Sequence, residues 1–266
     1  MKIIVCVKQV PDTSGKVAVN PDGTLNRASM ATITNPDDLN AVEAALVLKE
    51  QTGAEVVVVC MGPPPAEGML RECLARGCDR AVLVSGREFG GSDTYATSQI
   101  LAAAINKIGV EENDIVMCGR QAIDGDTAQV GPQIAEKLGL PQISYAADIQ
   151  LDGNVVTVKR MLEDGYMTVK TQTPCLITCI KELNEPRYMS VYGIFDCYSK
   201  PYEVLDYNAL KDDPLIDPST IGLMGSPTNI LTSFTPPQKG AGMMLEGADK
   251  ATCDQLAGML AAKHMI

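Results

Sequence analysis

The residues best suited to grip an anion lie between Gly119 and Pro132, a stretch reading GRQAIDGDTAQVGP. It follows the apolar run Asp114-Ile115-Val116-Met117-Cys118 and opens a helical pattern through Ile134, Ala135, Leu138 and Leu140. A strand, a glycine-bearing loop and a helix start in that order present unpaired backbone N–H groups and the positive end of a helix dipole to a ligand. Asp126, with Gln129 three residues on, has the capping-box pattern and predicts the helix start there. The carboxylates of Asp124 and Asp126 would repel a bare phosphate. Backbone donors can serve the phosphate, however, while the acids cap the helix or hold ribose hydroxyls. Gly125, Thr127, Ala128, Gln129, Val130, Gly131 and Pro132 complete this candidate nucleotide loop, and a purely structural turn is the alternative. Neither G-x-G-x-x-G nor a P-loop motif is present.

Other chemistries are poorly supplied. His264 is the one histidine in 266 residues, which argues against a histidine base or a multi-histidine metal site. Nine cysteines occur without a CxxC pair, a spacing that fits neither zinc nor an iron–sulfur cluster, so no metal is expected. Cys6, Cys60 and Cys118 end apolar runs and are expected as reduced, buried thiols. With no catalytic side-chain set in view, a bound cofactor is the better candidate for any chemistry. A net charge of −11 argues against nucleic acid as a partner. No run of about 18 apolar residues suggests a membrane span, and no signal-peptide layout is visible; the expectation is a cytoplasmic protein.

The elements that must position the loop follow from the pattern. Lys2–Lys8, Glu55–Met61, Arg80–Ser85 and Ile115–Cys118 read as short buried parallel strands, separated by helical segments. Asn35 is expected as the N-cap of the first helix, with Pro36 at its first position and Asp37 and Asp38 in its first turn. Four strand–helix alternations in about 140 residues predict an α/β fold with a doubly wound, Rossmann-like parallel sheet. Ligands of such sheets sit at the carboxyl ends of the strands near the switch point. Cys6-Val7-Lys8, Met61-Gly62 and Gly119-Arg120 should therefore converge on one sheet edge.

From residue 148 to about 182 the period changes. A hairpin is expected around Asp152-Gly153, followed by Met167–Lys170 and Cys175–Ile180 as further antiparallel strands. Tyr188, Met189, Val191, Tyr192, Ile194 and Phe195, within a loop of about 188–198, suit a partner-recognition surface. The division expected is a nucleotide-binding α/β domain over residues 1–225 and a C-terminal arm over 226–266. A final helix is placed at about 247–263.

Taken together, these residues resemble the β subunit of electron transfer flavoproteins over essentially the whole chain. The match rests on Val5–Asp12 (VCVKQVPD), Asn35-Pro36, Met61-Gly62-Pro63, Gly119–Pro132, Asn184–Tyr188 (NEPRY) and Gly225–Thr228 (GSPT). The resemblance implies a heterodimer whose α subunit carries one FAD while this subunit binds a second nucleotide. It places that nucleotide at Cys6, Asn35–Asp38, Met61 and Asp124–Ala135, to which the strand-end reading adds Val7, Lys8, Gly62 and Arg120 beside the 124–132 loop. In ordinary members the nucleotide is AMP; in the electron-bifurcating class it is FAD, reduced by NADH. Arg120 followed by QAIDGDTAQVGP looks like the bifurcating class, with Arg120 tuning the flavin or meeting NADH. The implied partners are the α subunit, an acyl-CoA dehydrogenase or reductase, and ferredoxin or flavodoxin. Val191 takes the place of the family's aliphatic docking anchor, although Tyr192, Phe195, Cys197 and Tyr198 replace a lysine-rich stretch. The residues beyond about 225 would wrap the α subunit. A conventional AMP-binding electron carrier and a non-redox nucleotide-binding module are the two alternatives.

Overall fold

The structure, a computed structural model, describes residues 1–12, 31–228 and 240–266. Asn20–Gly23 (NPDG), a turn signal in the sequence, and part of the expected arm lie outside them. The chain begins with β1 (Lys2–Cys6), followed by β2 (Gln9–Pro11) and β3 (Thr32–Thr34), which pair antiparallel as a small two-stranded sheet. Then come α1 (Pro36–Thr52), β4 (Glu55–Met61), α2 (Glu67–Arg76), β5 (Arg80–Val84), α3 (Thr94–Ile108), β6 (Ile115–Gly119) and α4 (Val130–Leu138). The strands form because their runs are apolar on both faces: Ile3, Ile4, Val5, Val56–Val59 and Ile115–Met117 are fully buried.

Beyond α4 the order is β7 (Gln142–Asp152), β8 (Val155–Met161), β9 (Tyr166–Gln172), β10 (Cys175–Cys179), α5 (Val191–Asp196), β11 (Tyr202–Leu205), α6 (Tyr207–Leu210), α7 (Gly222–Gly225) and α8 (Lys250–Ala262). The main sheet has nine strands in the order β11-β5-β4-β1-β6-β10-β7-β8-β9. Strands β11 to β7 run parallel, and only the β7–β8 and β8–β9 pairings are antiparallel. The fold is thus the Rossmann-like α/β class expected.

Two expectations need correction. Cys175–Cys179 is not a continuation of the antiparallel hairpin; it inserts parallel between β6 and β7. All five of its residues are buried, and only a central position covers both faces of such a strand. Residues 202–205, which carry little core-like pattern in sequence and so are not expected to form a strand, add a parallel edge strand beside β5. The hairpin around Asp152-Gly153 is present as β7–β8, and its third strand is β9.

Helices cover both faces. One core contains α1 and α2 residues such as Val42, Leu46, Leu70 and Leu74, packed on Ile3, Val56 and Ile177. The opposite core contains Ile100, Ile105 and Ile134 from α3 and α4, packed on Ile4, Val57 and Leu176. The chain leaves β1 towards β4 and β5, then returns through α3 to β6 on the other side of β1. The switch point therefore lies between the carboxyl ends of β1 and β6. Among the described residues, no helix is long and apolar enough to cross a membrane.

Candidate functional site

Asn35, Asp37 and Asp38 enter the switch point on the first turn of α1. Asn35 is the N-cap residue by position, but its side chain makes no cap bond to the helix. Its amide reaches across to the loop after β6, donating to Gln121 O at 2.8 Å while its Oδ1 accepts the Ile123 N–H at 3.1 Å. Its own N–H donates to Lys8 O at 2.9 Å. One side chain and its backbone thus stitch the end of β1 to the loop after β6.

Asp38 performs the matching task one turn deeper. It is buried, and each carboxylate oxygen accepts one backbone N–H: Lys8 to Oδ2 at 2.8 Å and Gly119 to Oδ1 at 2.9 Å. Burial pushes its pKa up to about 7, opposed by hydrogen bonds from Asn35 and from those two backbone groups. Gly119 has to be glycine here, since a Cβ would lie 2.6 Å from the Asp37 carbonyl carbon and closer still to Asp38 Oδ1. At Gly131 in the first turn of α4, a Cβ would meet Cys118 Sγ at 2.6 Å and Thr178 Cγ2 at 2.8 Å. The backbone of α4 is thereby seated directly on β6 and β10.

The charged groups are paired across the crevice. Lys8 Nζ contacts Asp124 Oδ1 at 2.6 Å, and Arg120 Nε lies 3.3 Å from Asp37 Oδ2. Burial raises the Asp37 pKa, and the Arg120 charge opposes that rise. The Arg120 side chain is 37% exposed, while the residue's backbone N–H donates to Cys179 O at 2.7 Å. Asp126 accepts from Gln121 Nε2 at 2.8 Å. Both loop carboxylates that would repel a phosphate therefore already have partners within the chain.

The helix start differs from the sequence expectation. α4 begins at Val130, its N-cap position is Gln129, and no side chain caps it. Asp126 does not form the capping box, because it lies in left-handed backbone (φ 53°) and its carboxylate is turned to Gln121. Ala128 is left-handed as well (φ 52°), so the loop bends twice before the helix. Gln129 Oε1 instead meets Thr94 Oγ1 at 3.2 Å, which ties the loop to the start of α3. The result is an uncapped helix N-terminus on an exposed loop, close to two glycine-permitted backbone approaches. That cradle fits a phosphate-bearing nucleotide.

The remaining candidates fall where expected or nearby. Cys6, Val7, Met61 and Gly62 occupy the carboxyl ends of β1 and β4, with the Val7 N–H on Val59 O at 2.8 Å. Burial drives the Cys6 and Cys60 thiols up to about 12, so they are packing groups and not nucleophiles. Among the described residues, no group of three or more His, Cys, Asp or Glu side chains could hold a metal ion.

The described chain also carries an exposed apolar element. Tyr188 is 93% exposed, Tyr192 and Phe195 are 78% and Val191 is 74%, while Ile194 is less exposed. Met189, expected on the same surface, packs inward against the α1–α2 core.

Residues 22–204 match the model of the electron transfer flavoprotein domain. The chain belongs to the electron transfer flavoprotein β-subunit family. It is 66% identical, over the full length of both chains, to the acryloyl-CoA reductase electron transfer subunit gamma of Anaerotignum propionicum. It is 51% identical to the caffeyl-CoA reductase–Etf complex subunit CarD of Acetobacterium woodii, covering 99% of this chain and 97% of that one. With the electron transfer flavoprotein subunit beta of Clostridium acetobutylicum it shares 49% identity over the full length of both. Electron transfer is therefore the role of this β subunit, and its switch-point crevice is the candidate place for a nucleotide.

Proposed function

We propose that the β1/β6 crevice binds FAD, and that with its α subunit this protein takes a hydride from NADH and bifurcates the electron pair. One electron goes to ferredoxin or flavodoxin. The other goes through the α-subunit FAD to an acyl-CoA dehydrogenase or reductase. The observation that carries this reading is Arg120, a half-exposed cation fixed through its backbone at the end of β6, beside the uncapped start of α4. Fixed donors and a cation at that position favour an electron-rich, anionic ring. The names of the relatives from Anaerotignum propionicum and Acetobacterium woodii, both acyl-CoA reductase complexes, support the direction of electron flow.

The chain's own tasks are binding and orientation. Backbone N–H groups at 127–131 would hold the phosphates, Lys8 would add a charge to them, and Arg120 would sit at the ring. Bound flavin supplies the conversion between two-electron and one-electron transfer. The exposed α5 face would dock the dehydrogenase, and the exposed α8 would belong to the arm on the α subunit.

A second reading, a conventional AMP-binding carrier, draws on one observation: both crevice cations already face carboxylates. Adding NADH to the oxidised heterodimer separates the two. Bleaching of the flavin absorbance supports the first reading, and an unchanged spectrum supports the second.

A further inference from the structure

The α5 element is held by polar contacts and exposes its largest apolar side chains, the reverse of an ordinary surface helix. Val191, Tyr192 and Phe195 are 74–78% exposed. Met189 and Cys197 pack inward and Gly193 lies against the backbone of Ala75, and hydrogen bonds from cations add to that hold. Arg71 donates to Cys197 O at 3.0 Å, Arg76 donates to Arg187 O, and Lys200 Nζ donates to Leu74 O and Cys78 O at 2.9 and 2.8 Å.

The strongest anchor lies just before α5. Arg187 Nη2 donates to Glu43 Oε1 and its Nε to Glu43 Oε2, both at 2.9 Å, while its backbone N–H reaches the same Oε2 at 3.0 Å. Nη1 extends to Glu50 Oε1 at 2.6 Å. Glu43 is buried on α1, and three residues away Asn40 exchanges amide bonds with Asn184 at 2.8 and 3.0 Å. Burial alone would raise the Glu43 carboxyl, yet the Arg187 fork outweighs it and holds that carboxyl below its ordinary range.

We propose that Arg187 is the positioning residue of the docking face: its bidentate grip on Glu43 fixes the segment before α5 against α1 and hence the pose in which Tyr188, Val191, Tyr192 and Phe195 are presented. A guanidinium fork makes two parallel bonds to a carboxylate in one geometry, whereas a lysine makes a point contact that leaves the chain free to pivot. Six residues with little buried apolar surface of their own do not hold a pose unaided. The proposal rests on reading α5 as the dehydrogenase docking face.

The test uses the intact heterodimer with R187A, R187K and Y192A, a purified acyl-CoA dehydrogenase that the wild-type heterodimer reduces being the varied component. R187A is expected to raise the KM for that dehydrogenase about tenfold and R187K about threefold. In both, kcat and bound nucleotide stay unchanged and amide exchange over residues 188–198 quickens about tenfold or more. Y192A raises KM without changing that exchange. If Y192A raises KM while R187A changes neither KM nor exchange, the positioning role is wrong and the docking reading survives. If R187A loses nucleotide or the α subunit along with docking, Arg187 is a general stability residue and the proposal fails. If neither variant moves KM, the docking reading fails and takes this one with it.

Discussion

Asp38 Oδ1 accepts the N–H of Gly119 at 2.9 Å, across 81 residues of sequence, and the two lie so close that no Cβ fits at position 119. The second oxygen of the same carboxylate holds Lys8. A single buried group therefore ties the carboxyl ends of the paired strands β1 and β6 together at the switch point where the nucleotide is proposed to bind. Gly119→Ala forces either the carboxylate or the α1 backbone aside. Overpacking of this kind costs about 1–3 kcal/mol. Thermal unfolding should shift down by roughly 2–10 °C, and the purified heterodimer should lose most of its β-subunit nucleotide.

The same carboxylate gives a pH signature. Its folded pKa is pushed up to about 7 by burial, above the value of a free aspartate. A carboxyl raised on folding binds its proton more tightly in the folded state. Its contribution to stability is full below about pH 4 and is lost as the pH rises through about 7. Asp38→Asn should flatten the fall in Tm between about pH 4 and 7 that this group causes. It should also lower Tm at pH 5, because an amide offers one acceptor where two N–H groups need partners. A slope equal to that of the wild type would remove Asp38 as the titrating group.

The Lys8–Asp124 pair should matter for ligand and little for folding. Its side chains are 48% and 23% exposed, and pairs of this kind contribute about 0–1 kcal/mol. Lys8→Met is expected to weaken nucleotide binding about tenfold, and Asp124→Asn to tighten it about threefold, by releasing the lysine to a phosphate. Both effects should shrink at high salt. Calorimetric titration of nucleotide-depleted heterodimer at two ionic strengths measures them, and a tighter-binding Lys8→Met variant would contradict the assignment.

Tyr192 and Phe195 are predicted to act only in docking. Each is 78% exposed, so truncation to Ala should leave Tm within about 1–2 °C. Aromatic anchors buried on association are often worth 2 kcal/mol or more, so each variant should weaken dehydrogenase binding by roughly 30-fold. Surface plasmon resonance with the immobilised dehydrogenase reports this directly. Unchanged dissociation rates would point to a docking face elsewhere.

What could be read in advance was whatever depends on local pattern. The runs around Ile3–Cys6, Val56–Cys60 and Ile115–Cys118 are apolar on both faces, and with Pro36 and Gly53 bracketing α1 they dictate a doubly wound sheet. The direction of Cys175–Cys179 was not legible, because a five-residue buried run carries no sign of which neighbours it will meet. Its parity was legible: Cys175 and Cys179 lie in the same core. Asp126 had the residue type and spacing of a cap, but a glutamine five residues earlier claimed its carboxylate and the backbone turned left-handed. Asn35 and Asp38 were singled out as helix-start residues near a cleft. That their side chains bridge the end of β1, 30 residues from Asp38, to the end of β6 and its loop, 81 to 88 residues away, is a tertiary fact with no local signature. Arg187 belongs to the NEPRY motif, but its task has no local signature for the same reason: Glu43 lies 144 residues earlier.

The central claim concerns what fills the β1/β6 crevice, and the nucleotide content of the native heterodimer tests it most directly. Protein denatured after gel filtration, its released cofactors separated and quantified, should yield two FAD per heterodimer and no AMP. One FAD and one AMP per heterodimer would contradict the claim and leave the crevice as an AMP site.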